Sequence, residues 1–167
     1  MPTSALDRLI VRPARMEDVD VLVTFNAAMA LETEGRKLDL ERLRRGTRRV
    51  FDSLTRGFYV VADLPPESSP GVIGQLLVTY EWSDWRDATF WWIQSVYVHP
   101  DWRRRGVYCR MHEYVRQQAR SRSDVCGIRL YVEAGNVGAQ AAYRQTGLFP
   151  SSYRVLEEDF VFTRNMV

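Results

Sequence analysis

The chain has 167 residues, a formal net charge of +2, 46% hydrophobic and 26% charged residues and two cysteines, a composition of the soluble globular class. One domain over 1–167 is expected, since a chain of this length buries roughly 70% of its unfolded surface and forms a core without disulfides or a structural metal. Cys109 and Cys126 are too few for a disulfide framework or a zinc cluster, so no metal and a reducing, cytoplasmic setting are expected. The start, MPTSALDRLIVRPAR, lacks a basic stretch followed by a long apolar run, and no segment nears about 18 consecutive apolar residues, so neither a secretion signal nor a membrane partner is expected.

Leu9 to Pro13 reads as a short strand stopped by a proline. A helix follows from Met16 to the region of Leu31 to Gly35, with Val19, Leu22, Val23, Phe25 and Met29 near helical spacing and Glu17 and Asp18 in its first turn. Asp39 caps a second helix through Leu40, Leu43, Thr47, Val50 and Leu54, whose Arg42, Arg45, Arg48 and Arg49 form a wet face. Strands are predicted at Phe58 to Ala62, Val72 to Glu81 and Thr89 to Val98, the last two joined by the SDWRD turn and the first two by a Pro/Ser-rich loop. A third helix begins at Val107, a strand spans Ile128 to Glu133, and a short helix from Val137 to Gln145 ends before Gly147. Tyr153 to Leu156 and Phe160 to Phe162 read as two final strand pieces. The result is a mixed α/β domain of about seven strands and four helices.

His99-Pro100 ends the fourth strand, and an Arg-rich turn, Arg103 to Gly106, leads into the third helix. Unpaired N–H groups at a helix start carry the positive end of the dipole, and glycine lets backbone approach closely, so the junction suits a diphosphate. Further on, Asn136 is followed by Ala139, Tyr143 and Gly147. With the N-terminal IVRPA, the stretch from Val96 to Gly106 and this N-x-x-A-x-x-x-Y-x-x-x-G element, the chain resembles the GCN5-related N-acetyltransferase (GNAT) superfamily over essentially its whole length. The resemblance implies a GNAT-like mixed sheet splayed between strands 4 and 5, and acetyl-CoA as cofactor. It implies main-chain binding of the diphosphate by Arg103, Arg104, Arg105, Gly106, Val107 and Tyr108, and strand-like pairing of the pantetheine arm with Val96, Tyr97 and Val98. It also implies that Asn136 holds that arm, that Ala139 and Tyr143 line the thioester channel, and that Tyr143 is the general acid for the leaving thiolate.

The chain departs from the family pattern twice. Tyr108 stands where the family has a small residue, and Gln94 occupies the strand stretch where many relatives carry a glutamate base. An amine is largely protonated at neutral pH and must lose a proton before it attacks. Glu81, Asp84, Glu32 and Glu34 are the candidate bases or acceptor-binding acids, and Trp82, Trp85, Trp92 and Gln94 the candidate acceptor wall, a chemistry suited to a small cation. His99 and His112 are read as structural. The leading function is acetyl transfer to a small-molecule amine by direct attack in a ternary complex. Against it stand a non-catalytic acyl-CoA binding module and acetylation of a peptide or protein. Nucleic-acid binding by the Arg-rich helix is disfavoured by Glu41, Asp52 and the low net charge, and a homodimer is left open.

Overall fold

A computed structural model describes residues 5–65 and 71–162 of the protein. Its strands are β1 (Ile10–Pro13), β2 (Phe58–Asp63), β3 (Val72–Ser83), β4 (Ala88–Val98) and β5 (Val125–Leu130), and its helices α1 (Val19–Glu34), α2 (Leu40–Phe51), α3 (Val107–Arg120) and α4 (Val137–Gln145). The strands form one sheet in the order β1-β2-β3-β4-β5, antiparallel except for the β4–β5 pair. Part of the predicted Pro/Ser-rich connection, residues 66–70, lies outside the described residues.

Period-two alternation assigns the two faces. Val60, Ala62, Ile73, Leu76, Val78, Trp91 and Ile93 pack against Val107, Met111, Val115 and Ala119 of α3, forming the larger core. Tyr59 and Val61 face the other way, onto Leu22 of α1 and Val50 and Phe51 of α2. The α1 helix stops at Gly35, whose φ of 61° needs no Cβ and brings its N–H onto the carbonyls of Ala30 and Leu31. The Asp39 carboxylate caps α2 by accepting from Arg42 N–H at 3.0 Å. Arg12 ties β1 to its surroundings, bonding both Asp18 (2.7 Å) and Asp63 (2.7 Å). Burial opposes the Asp18 carboxylate, yet the bonds from Arg12 and from Arg15 N–H outweigh it and hold its pKa below the ordinary range.

The third and fourth strands do not match residue for residue. Gln75 pairs with Tyr97, but Leu77 pairs with Gln94, so β4 carries an extra residue there. Ser95 takes φ 52° at this bulge, an unusual conformation for a residue other than glycine. Pairing of β4 with β5 ends at Ile93 and Leu130, while β4 continues to Val98. The sheet therefore splits beyond the bulge, as the family resemblance implies.

Two expectations change. β5 begins at Val125 and ends at Leu130 instead of running from Ile128 to Glu133, because β4 departs at the bulge and leaves Tyr131 to Glu133 without a neighbour. Among the described residues there are five strands, and the predicted pieces at Tyr153 to Leu156 and Phe160 to Phe162 are not strands. Tyr153, Val155, Leu156 and Phe160 are all exposed. The Asp159 carboxylate accepts from the N–H groups of Val161 and Phe162, a local turn that uses amides a ladder would need. The outer edge of β5 borders an open cleft of about 510 Å³ with α3, lined by His112, Ala119, Val125, Ile128 and Leu148.

Candidate active site

Where β4 leaves β5, backbone from Gln94 to Val98 has no strand partner on that side among the described residues. At its end, a turn at Pro100–Trp102 leads to Arg104 (φ 59°) and Gly106 (φ 80°), both left-handed. Gly106 is the N-cap of α3, no side chain caps that helix, and a Cβ on Gly106 would meet nothing within 4 Å. An uncapped helix start preceded by left-handed residues is an anion cradle. The residues present thus fit an extended pantetheine arm along Val96 to Val98 and a diphosphate at the α3 start.

Arg103 of this loop does not point into the cradle. Its Nε donates to Val98 O (2.8 Å), an Nη donates to Glu32 Oε2 (2.6 Å), and its guanidinium lies 5.2 Å from the Tyr97 ring centre. Tyr97 hydroxyl donates to the other Glu32 oxygen at 2.9 Å. Partial burial raises the Glu32 pKa, but the bonds from Arg103 and Tyr97 prevail and lower it overall. Arg105 lies over Trp102, 5.2 Å from the ring centre.

Tyr108 turns inward. It is buried, and its ring meets Tyr143 edge-on at 5.1 Å and His112 at 5.8 Å. The bulky side chain is therefore accommodated between α3 and α4, leaving its N–H in the helix start. Burial raises the Tyr143 pKa, keeping the phenol protonated. Asn136 accepts from Ala139 N–H at 3.1 Å and so caps α4, the helix that carries Tyr143. His99 Nδ1 accepts from Asp101 N–H at 3.4 Å, and His112 is buried with its Nε2 unpartnered.

The acids and tryptophans expected to form one pocket are dispersed. Glu81 bonds Arg129 (3.0 Å) and accepts from Trp92 Nε1. Trp92 stacks on Tyr131 with 4.4 Å between ring centres. Asp84 accepts from Trp85 N–H in the hairpin, where Trp82 and Trp85 are 61% and 84% exposed. Glu34 lies 3.5 Å from Arg36, and Gln94 donates to Thr79 Oγ1. Trp92, Glu81 and Arg129 do meet, but as an ion-paired surface cluster on the sheet.

A separate hollow of about 300 Å³ opens between α1, α2 and the sheet, next to the bulge. Met29, Leu38, Leu43, Val50 and Leu77 make its apolar walls, and Asn26, Thr47, Tyr59 and Ser95 its polar ones. Behind it runs a buried chain of neutral hydrogen bonds. Asn26 Nδ2 donates to the Tyr59 hydroxyl (3.2 Å), and Gln75 Nε2 donates to Asn26 Oδ1 (2.7 Å) and to Ser95 O (3.3 Å). Gln75 thus gives a donor to the carbonyl of the left-handed bulge residue. None of these residues was singled out from the sequence as functional. The available signal was polarity out of place: Gln75 interrupts the apolar run VIGQLLV, and Asn26 lies among Val23, Phe25 and Met29 on a buried helix stripe.

A mixed sheet split at a bulge, with an anion cradle at the end of the split strand, is the architecture of an acyltransferase class. The comparisons with known proteins agree. A model of the acetyltransferase (GNAT) family matches residues 27–148, and the chain belongs to that family. A possible acetyltransferase from Clostridium difficile 630 is 35% identical, with 92% of this chain and 99% of that one covered and a TM-score of 0.82. A predicted acetyltransferase with acetyl-CoA from Clostridium acetobutylicum shares the fold at 16% identity and TM-score 0.71, covering 90% of this chain and 96% of that one. An aminoglycoside acetyltransferase from an uncultured soil metagenomic sample, in complex with sisomicin, shares it at 13% identity and TM-score 0.71, covering 96% and 100%. No curated protein matches the sequence. Among the described residues no helix is long and apolar enough to cross a membrane.

Proposed function

We propose that the protein is an acetyl-CoA-dependent N-acetyltransferase of small-molecule amines, its one domain spanning 1–167, with the acceptor entering the hollow beside Ser95. The observation that carries this reading is the bulge, which puts a polar-backed hollow and an unpaired stretch of β4 on either side of the same residues. Acetyl-CoA, when bound, supplies an acyl group on a sulfur that leaves as thiolate. The N–H groups of Val107 and Tyr108 at the α3 start would hold the diphosphate, and Val96 and Val98 would pair with the pantetheine. Unpaired β4 backbone N–H groups would polarise the acyl oxygen. Tyr143, kept protonated by burial, would give its proton to the departing sulfur. Asn136 positions Tyr143 by capping its helix.

Thioester consumption with a panel of amines, measured beside CoA binding, tests the proposal. Turnover with at least one amine is expected. Binding without turnover on every acceptor would instead fit the non-catalytic module that Gln94 suggests. Tyr143→Phe is expected to lower kcat by about 10² to 10⁴ with CoA affinity kept. An unchanged kcat across pH would remove the acid role.

A further inference from the structure

The acceptor hollow has a chemical character of its own. The side chains that α1, the α1–α2 loop, α2, β3 and β4 present to it are Asn26, Met29, Leu38, Leu43, Thr47, Val50, Leu77 and Ser95, all neutral, and β2 adds Tyr59. Burial raises the Tyr59 pKa, so that phenol stays neutral as well. The charged groups on the surrounding elements are engaged elsewhere or exposed. Glu32 is held by Arg103 and Tyr97, Glu34 lies beside Arg36, which also lies over the Phe162 ring, Asp20 pairs with Arg44, Asp39 caps α2, and Lys37, Glu41, Arg42, Arg45, Arg48 and Arg49 are exposed. Among the described residues, neither a carboxylate for an ammonium nor a cation for a carboxylate lines the hollow.

We propose that the hollow takes its acceptor as a neutral primary amine on an uncharged, mainly apolar body, an aralkyl or alkyl monoamine rather than a polyamine, aminosugar or amino acid. This rests on the acetyl-transfer reading above. The charge follows from the lining, because an ammonium entering a hollow without a counter-ion exchanges part of its hydration for neutral partners alone, which favours the free base. A neutral amine already carries the lone pair it needs. Its nitrogen bonds to the acyl carbon, the carbon–sulfur bond breaks with its electron pair on sulfur, Tyr143 protonates the sulfur, and the one surplus proton on nitrogen passes by way of solvent to the Tyr143 phenolate, with no net proton released. No carboxylate base is required, which accounts for Gln94 and for the dispersal of the four acids.

The test compares 2-phenylethylamine and hexylamine with spermidine, glucosamine and glycine, reading thioester consumption and, by calorimetric titration, binding of each amine. The expected kcat/KM for 2-phenylethylamine exceeds that for the other three classes by about tenfold or more. It should rise about tenfold per pH unit from 7 to 9, following the free base of an amine whose pKa is near 10. Leu38→Glu, in the loop, puts a carboxylate in the wall and is expected to narrow the preference over spermidine by about fivefold or more; Leu43→Glu gives a second variant should the first fail to fold. Spermidine or glucosamine used as well as 2-phenylethylamine, or kcat/KM flat in pH, overturns the proposal and leaves acetyl transfer standing. Intact thioester with every amine while CoA binds overturns acetyl transfer itself.

Discussion

One face of the sheet carries two polar clusters built on the same strands. Gln75, Leu77, Thr79 and Glu81 alternate along β3 and so share that face. At the Glu81 end, Glu81, Trp92 and Arg129 satisfy one another, and the Arg129 guanidinium also lies 3.6 Å from the Phe90 ring centre. At the Gln75 end the groups are neutral and deeply buried, and Gln75 Oε1 has no partner. The Gln94 bond to Thr79 lies between them. Richness in charge and aromatic rings marks the cluster that holds strands together, whereas the uncharged cluster with spare hydrogen-bonding capacity backs the hollow.

Three substitutions sharpen or break this contrast. Gln75→Leu keeps the volume but takes the donor from Ser95 O and Asn26 Oδ1; kcat is expected to fall about 10- to 100-fold as the bulge shifts, with CoA affinity changed much less. Equal loss of both would mean that Gln75 serves folding alone. Gly127→Ala acts at the other end, where the new Cβ would come within 2.7 Å of Phe90 Cε1. Crowding there should cost about 1–3 kcal/mol in denaturant unfolding while turnover of the folded enzyme persists. Smallest is Glu81→Gln, expected to cost about 1 kcal/mol or less for a part-exposed pair and to change kcat/KM less than about twofold. A large kcat loss there would return the charged cluster to the acceptor site.

Much of the fold was legible because it rests on local chemistry. Asp39 capping α2, Gly35 ending α1 and the start of α3 at Val107 follow from residues within one turn of where they act. The bulge was not legible, since its left-handed residue is a serine and no glycine marks it. The inward turn of Tyr108 depends on Tyr143, which arrives from another helix. The dispersal of the acids and tryptophans has a related reason: residues near in sequence at the hairpin lie far along the sheet from the bulge, and Arg129, the ion-pair partner of Glu81, comes from β5. The neutral network joins α1, β2, β3 and β4, a convergence visible only in three dimensions.

Among the described residues the outer edge of β5 has no strand partner, which has a consequence for hydrogen exchange. Pairing with β4 protects the amides on one side of the strand, while those on the other face open solvent across the cleft. Alternate amides from Val125 to Leu130 should therefore exchange orders of magnitude faster than their neighbours, giving a two-residue rhythm of protection that the doubly paired β3 lacks.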